Sequence, residues 1–331
     1  MCALTIIIPV YNSEAFLEKG FSHLRSLYTS SVSFEIIYVN DGSTDNSLAT
    51  LNNIADNNEC VKVINQENQG SSGARNTAIE IAQGEYIQFL DADDSIDIIQ
   101  LLLLLEKAEH SKLDLLGYRL DYVDETFKQI GIRAKQSVIH DKILSGKQFL
   151  IAGYQPSSIC VFLFKNKLLK EYNLRVYPKI THMDVEFMCR VMLVAKMVQF
   201  KDAVIYHYTQ RPGSITKPMT QLKKNKLLAD EVIVASLIKQ NLSSSFSPEL
   251  NETITKNYNN VVWNLLYRFL RITKVQASFI ETCKIELIEH QLYPIKGETS
   301  TPFQRVTLYF FNTPLYWSLV KIINQIRVKF S

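Results

Sequence analysis

Four short apolar runs, each stopped by polar residues and separated from the next by a helix-length stretch, set the limits on how this chain can fold. They are Leu4-Thr5-Ile6-Ile7-Ile8-Pro9-Val10, Phe34-Glu35-Ile36-Ile37-Tyr38-Val39-Asn40, Val61-Lys62-Val63-Ile64 and the stretch from Tyr86 to Leu90. Continuous apolar strands are buried on both faces, the condition of a parallel sheet covered by helices. Their alternation with helical segments predicts right-handed βαβ units. In such sheets ligands bind beyond the carboxyl ends of the strands. Here those ends carry Tyr11 and Asn12, then Asp41, then Gly70 to Arg75, then Asp91 and Asp93. Four polar ends on one sheet edge predict a single polar site better than four unrelated turns. Between the strands, helices are expected over residues 14–28 with Ser13 as cap, from the turn at Asp41 to residue 57, and over residues 74–82.

The fourth run ends in a knot of acid, Asp91-Ala92-Asp93-Asp94. In extended backbone, residues two apart face the same side, so Asp91 and Asp93 converge while Ala92 turns away. Two hard carboxylates suit Mg²⁺ or Mn²⁺ and leave coordination positions for a substrate's phosphates. The competing reading is that Asp94 or Ser95 only caps the helix that begins near Asp97. A nucleotide fits the other strand ends. Asp41 can accept from a base N–H, Tyr11 can stack on the base, and Arg75 offers a planar fork to base or phosphate. Their plainer readings are a turn acid, a core aromatic and a surface helix charge. There is no GxGxxG after the first strand and no GxxxxGK[ST], which argues against a nicotinamide site and a P-loop.

Further along, residues 98–110 read as a helix, 113–123 as a strand, 145–152 as a short helix, 158–164 as a strand and 165–172 as a helix. A helix over residues 180–195 places Asp184 in its first turn, where the dipole favours a charged carboxylate. Asp184 reads either as a general base aimed at an acceptor hydroxyl or as an ordinary first-turn acid. Two late strands, 198–200 and 203–209, bring His207, an additional metal ligand or a packed strand histidine. Arg211, in the loop with Pro212 and Gly213, is placed to close over a diphosphate.

After Pro218 helical periodicity takes over, in residues 222–241, 248–272 and 274–291. The last piece, 303–330, is aromatic, apolar and purely basic: an interfacial helix on an anionic membrane, or a terminal helix packed on the helical lobe. With 36 basic and 33 acidic residues the net charge of +3 argues against nucleic-acid binding. Five cysteines without CxxC spacing suggest reduced thiols facing the cytosol. The chain enters a strand at once, so no secretory signal is expected, and no run of about 18 uncharged apolar residues predicts a membrane-spanning helix.

Taken together, Ile8-Pro9-Val10-Tyr11-Asn12, Val39-Asn40-Asp41-Gly42-Ser43-Thr44-Asp45, Asn68-Gln69-Gly70-Ser71-Ser72-Gly73-Ala74-Arg75-Asn76 and Gly84 through Asp94 resemble family 2 glycosyltransferases of the bacterial type that builds surface polysaccharides. The resemblance is strong over residues 3–110, weaker over 111–216 and absent from the tail. It implies an α/β fold of GT-A type: a mixed, mainly parallel sheet flanked by helices, with a C-terminal helical lobe. The implied domains are 1–216, divided into a nucleotide-sugar part (1–110) and an acceptor side (111–216), and a helical region over 217–331. It further implies an inverting transfer from a nucleotide-diphosphate sugar, UDP-linked, to a hydroxyl of a saccharide or lipid-linked acceptor. Pro9, Tyr11, Asp41, Arg75, Asp91 and Ala92 would surround the nucleotide, with Asp93 as chief ligand of Mn²⁺ or Mg²⁺ and Asp91 assisting. Asp184 matches the position of the family's base. Two positions depart from the family pattern: Asn40-Asp41 stands for paired aspartates, and Met183-Asp184 for Glu-Asp. The expected location is the cytoplasm, at the inner face of the cytoplasmic membrane. The alternatives are a sugar-phosphate nucleotidylyltransferase, which would need a Gly-rich, Arg-containing loop after the first strand, and a nucleotide-sugar-binding protein with a degenerate site.

Overall fold

β1 (Leu4–Val10) buries six of its seven side chains, as its unbroken apolar run requires. The structure, a computed structural model, describes residues 2–126, 128–132, 139–210, 220–271 and 275–329. The chain divides into two compact units, Met1–Lys179 with Phe187–Ser214, and Ile180–Glu186 with Ile215–Ser331.

In the first unit β1 leads through α1 (Glu14–Leu24), β2 (Phe34–Asp41), α2 (Ser47–Asp56), β3 (Val61–Gln66) and α3 (Gly70–Ile81) to β4 (Tyr86–Phe89). These strands lie in the order β3-β2-β1-β4, all parallel. Then follow β5 (Ser95–Ile96), α4 (Ile98–His110), β6 (Leu115–Val123), β7 (Gln129–Ile132), β8 (Ile143–Leu144), α5 (Gly146–Ile151), β9 (Phe162–Lys165), α6 (Asn166–Glu171), α7 (Met183–Val194) and β10 (Val198–Thr209). The sheet continues β4-β9-β6-β10-β5, with β9 antiparallel to both neighbours and β10 parallel to β6. Among the described residues the result is a mixed, mainly parallel ten-stranded sheet flanked by helices.

The amino ends of the strands are tied by a buried acid. Glu35 accepts from Thr5 Oγ1 at 2.7 Å, Gln83 N at 2.6 Å and Lys62 Nζ at 2.7 Å. Burial opposes its charge, yet these donors hold the carboxyl below its usual range. Gly84 lies against β1 so closely that a Cβ there would come within 2.4 Å of the Thr5 nitrogen. Tyr86, on β4, donates to the Ala108 and Leu113 carbonyls and so pins the end of α4.

Several expectations change in detail. Ser13 makes no side-chain cap; Asp45 Oδ2 accepts from Glu14 N instead, at 3.1 Å. α1 stops at Leu24 and a 3₁₀ turn carries the chain to Thr29. α3 starts at Gly70, four residues earlier than expected. The two late strands are one, β10, which passes its polar Lys201-Asp202 step through register shifts against β6.

The second unit holds α8 (Gln221–Lys239), α9 (Pro248–Arg271), α10 (Ala277–Glu289), α11 (Pro302–Phe311) and α12 (Pro314–Lys329). α9 packs against α8, α11 and α12. Its Trp263 stacks on Tyr267 at 5.0 Å, and Tyr316 donates to the Leu266 carbonyl at 2.7 Å. The terminal piece is two helices, because Pro314 cannot continue α11. Among the described residues no helix is long and apolar enough to cross a membrane.

Candidate active site

The turns after β1 and β2 are stitched to one another. Thr44 N donates to Asn12 Oδ1 at 2.7 Å, Asn12 N to Ser43 Oγ at 3.0 Å, and Asn46 Nδ2 to Glu14 Oε1 at 3.0 Å. Asn12 takes a positive φ of 49°, which an asparagine tolerates. Gly42, at φ +72°, has room for no Cβ, since one would meet the Asn68 nitrogen at 2.9 Å. This bracing holds Tyr11 outward, 52% exposed, so it is not a core aromatic. Pro9 beside it is half-buried.

Asp41 ends β2 and is only 2% exposed. Gln66 Nε2 and Gln69 N both donate to its Oδ1, at 2.7 and 2.9 Å. Among the described residues no hydrogen bond reaches Oδ2. One oxygen is therefore fixed by the fold and the other is available to a donor from outside. Neither glutamine carries a sequence signal for this role; only the β2–β3 register, which sets Asp41 opposite Gln66, brings them together. Arg75 is 3% exposed on α3 and gives Nη2 to Asp91 Oδ1 at 2.5 Å, so it is no surface charge.

The acid knot divides its labour. Asp97, not Asp94 or Ser95, caps α4, accepting from Gln100 N at 3.0 Å. Asp94 is buried and accepts from Tyr206 Oη at 2.6 Å and Thr209 N at 2.8 Å, which anchors the end of β10. Burial, then the charges of Asp91 and Asp93, push its carboxyl well above the usual range. Asp93, with Ala92, lines a cavity of about 330 Å³ walled by Lys19, His23, Glu125 and Thr209. Burial, then Lys19 and His207, hold the His23 imidazole below its usual range. His207 sets Nδ1 against Asp121 Oδ1 at 2.7 Å, and Gln129 Nε2 donates to the other Asp121 oxygen at 2.7 Å. Asp121, an acid inside the apolar strand β6, is a signal that sequence reading passed over. Among the described residues no group of three or more His, Cys, Asp or Glu could hold a metal ion, so His207 completes no preformed cluster. Arg211 lies outside the described residues.

Asp184 is half-buried in the first turn of α7, in the segment Ile180–Glu186 that clusters with the second unit. Thr181 N and Oγ1 donate to Asp230 Oδ2 at 2.8 and 2.9 Å. His182 has a positive φ of 59° and Nδ1 3.6 Å from Glu231 Oε1. Arg268 Nη1 approaches the same oxygen at 2.9 Å. Burial nevertheless outweighs Arg268 and pushes the Glu231 carboxyl up to about 7. Burial, then Arg268, hold the His182 imidazole below its usual range, with Asp230 pulling the other way. Glu186 is buried, which leaves Asp184 the more accessible acid of the turn.

Residues 5–173 match the family described as Glycosyl transferase family 2. The uncharacterized glycosyltransferase YibD of Escherichia coli is 26% identical over 268 residues, 76% of each chain. Among solved structures, S. aureus TarS 1-349 in complex with UDP-GlcNAc superposes with a TM-score of 0.67 at 18% identity, covering 96% of this chain and 90% of that one. The mannosyltransferase PcManGT from Pyrobaculum calidifontis, in complex with GDP-Man and Mn²⁺, gives 0.51 at 14% identity, covering 97% and 86%.

Proposed function

The chain belongs to glycosyl transferase family 2, with the GT-A fold, and from that premise we propose an inverting transfer of a sugar from a UDP-linked donor to a hydroxyl of a saccharide or lipid-linked acceptor in surface-polysaccharide synthesis. The donor side falls to residues 1–110, the acceptor side to 111–216, and residues 217–331 form a helical region. The observation that carries the reading is Asp41: a buried carboxylate with one oxygen locked by Gln66 and Gln69 and the other open at a strand end. An open carboxylate oxygen selects a base edge that offers a ring N–H, which uracil and guanine both do. Exposed Tyr11 covers the base, and Arg75, through Asp91, couples the base side to the acid knot. The UDP-GlcNAc complex of TarS supports the choice of donor.

The acid knot fits a divalent cation. Asp91 and Asp93 offer hard oxygens two residues apart, with the buried carboxyl of Asp94 next in the chain. Asp93 would be the chief ligand and Asp91 the assistant. When bound, such an ion supplies positive charge where the leaving diphosphate gains negative charge. Asp184 takes the acceptor's proton as the hydroxyl attacks, so that a single displacement inverts the anomeric centre and needs no covalent nucleophile.

A thermal-shift screen of UDP, GDP and their sugars, with and without Mn²⁺, tests the donor. UDP with Mn²⁺ should raise the melting temperature most, and Asp41→Asn should weaken UDP about tenfold by removing the acceptor. Preference for GDP, or a UDP response that Asp41→Asn leaves intact, would overturn the assignment of the base.

A further inference from the structure

The outward face of the last two helices is apolar where a solvated helix would be polar. On α12, Leu315, Leu319, Ile322 and Ile326 follow one another at spacings of four, three and four residues. At about 100° per residue they fall within an arc of about 60°. None of the four is buried, and Leu315 is 71% exposed. The opposite face already has its partners: Tyr316, Trp317, Val320 and Asn324 are buried within the second unit. α12 is thus apolar on both sides, and only one side is covered. On α11, Val306 and Tyr309 are 77% and 84% exposed. Isolated exposed apolar residues need no explanation, but a continuous helical stripe does.

Charge identifies what covers it. From Thr299 to Ser331 the sequence has no Asp or Glu, while Arg305, Lys321, Arg327 and Lys329 are cationic. Lys321 on α12 and Arg305 on α11 keep their side chains partly in solvent, whereas Arg327 turns back and donates Nη1 to the Leu270 carbonyl at 2.8 Å. The acids that meet this set, Glu281 at 2.8 Å from Lys321 and Glu298 at 3.3 Å from Arg305, come from outside the segment and form exposed pairs, which hold weakly. A second copy docked on this face would set cations against cations. A soluble apolar partner would meet only the stripe and give the acid-free, basic character of the segment no role. A surface with an apolar interior and anionic headgroups satisfies both the stripe and its rim.

We propose that α11 and α12 form a peripheral docking face for an anionic lipid bilayer, with the Leu315–Ile326 stripe entering the headgroup boundary and the partly exposed Arg305 and Lys321 meeting lipid phosphates. The inference stands apart from the donor assignment, because it uses no residue of the acid knot or of the strand ends.

The test is cosedimentation of the full chain with vesicles of phosphatidylcholine alone or mixed with phosphatidylglycerol. The wild type should bind the mixed vesicles at least tenfold better, with the difference shrinking as salt rises. The triple variant Leu315→Ser, Ile322→Ser, Ile326→Ser changes only exposed positions. It should lose about tenfold or more in vesicle binding while its melting temperature and donor turnover stay unchanged. Absence of binding by the wild type, or equal binding by the variant, overturns the proposal. So does a wild-type dimer that the variant converts to a monomer without any vesicle binding, which would make the face an interface between copies.

Discussion

Asp184 and Glu231 show how differently two acids near one helix start behave. Asp184 sits half-buried in the first turn of α7, where the dipole favours its charge. Asp184→Asn should therefore leave UDP affinity near normal and lower turnover by roughly 10²–10⁴. Transfer at wild-type rate would move the base elsewhere. Glu231 is fully buried, and its carboxyl sits at about 7 against an ordinary 4.5. A raised carboxyl favours the neutral form in the folded state. Its stabilisation is complete below the ordinary value and is lost as pH rises through about 7. His182, whose pKa is lowered, works in the opposite sense on the acid side. The comparison must therefore be variant against wild type at each pH. Glu231→Gln keeps the shape without the charge and should flatten the fall in melting temperature between about pH 5 and about pH 8. An unchanged slope would show that Glu231 does not titrate there.

At the scale of elements, close packing at the start of β4 sets the frame for everything beyond it. Gly84→Ala would drive a Cβ into the backbone of Thr5 and Leu4, at 2.4 and 2.6 Å, and neither can turn aside. The variant should lose about 1–3 kcal/mol or more in urea unfolding. Gly131→Ala on β7 serves as the control, because its Cβ would meet only Tyr122 at an ordinary 3.5 Å. Equal stability of the two variants would refute the packing argument. Elements of this kind were legible where a physical period exists. Continuous apolar runs gave away β1 to β4, and turn chemistry marked their ends. β5 and β8, two residues each, are too short to carry any period, and β7 is a mostly exposed edge strand. The polar step at Lys201-Asp202 looked like a break because a bulge leaves the same trace as a turn. In the candidate site, Asp41 was legible as the end of β2 because a strand end is local, but Asp91 to Asp94 fold into a turn, Asp94 N donating to the Asp91 carbonyl at 3.1 Å, where the alternation of extended backbone does not apply. The Asp121–His207 pair spans 86 residues and the Thr181–Asp230 bond 49, and no local pattern announces either.

At the scale of the whole molecule, the sequence suggested a sheet domain followed by a helical one, and the backbone is threaded differently. It leaves the first unit at Ile180, spends seven residues with the second, returns at Phe187, and departs again only at Ile215. Within that brief excursion Thr181 is gripped by Asp230 and His182 lies beside Glu231, both from α8. No single cut of the chain can free one unit whole. An amputation after β10 would strip the turn bearing Asp184 of the neighbours that shape it. The C-terminal helices are therefore not trailing cargo; they hold the stretch that carries Asp184, and the two parts must be inherited together.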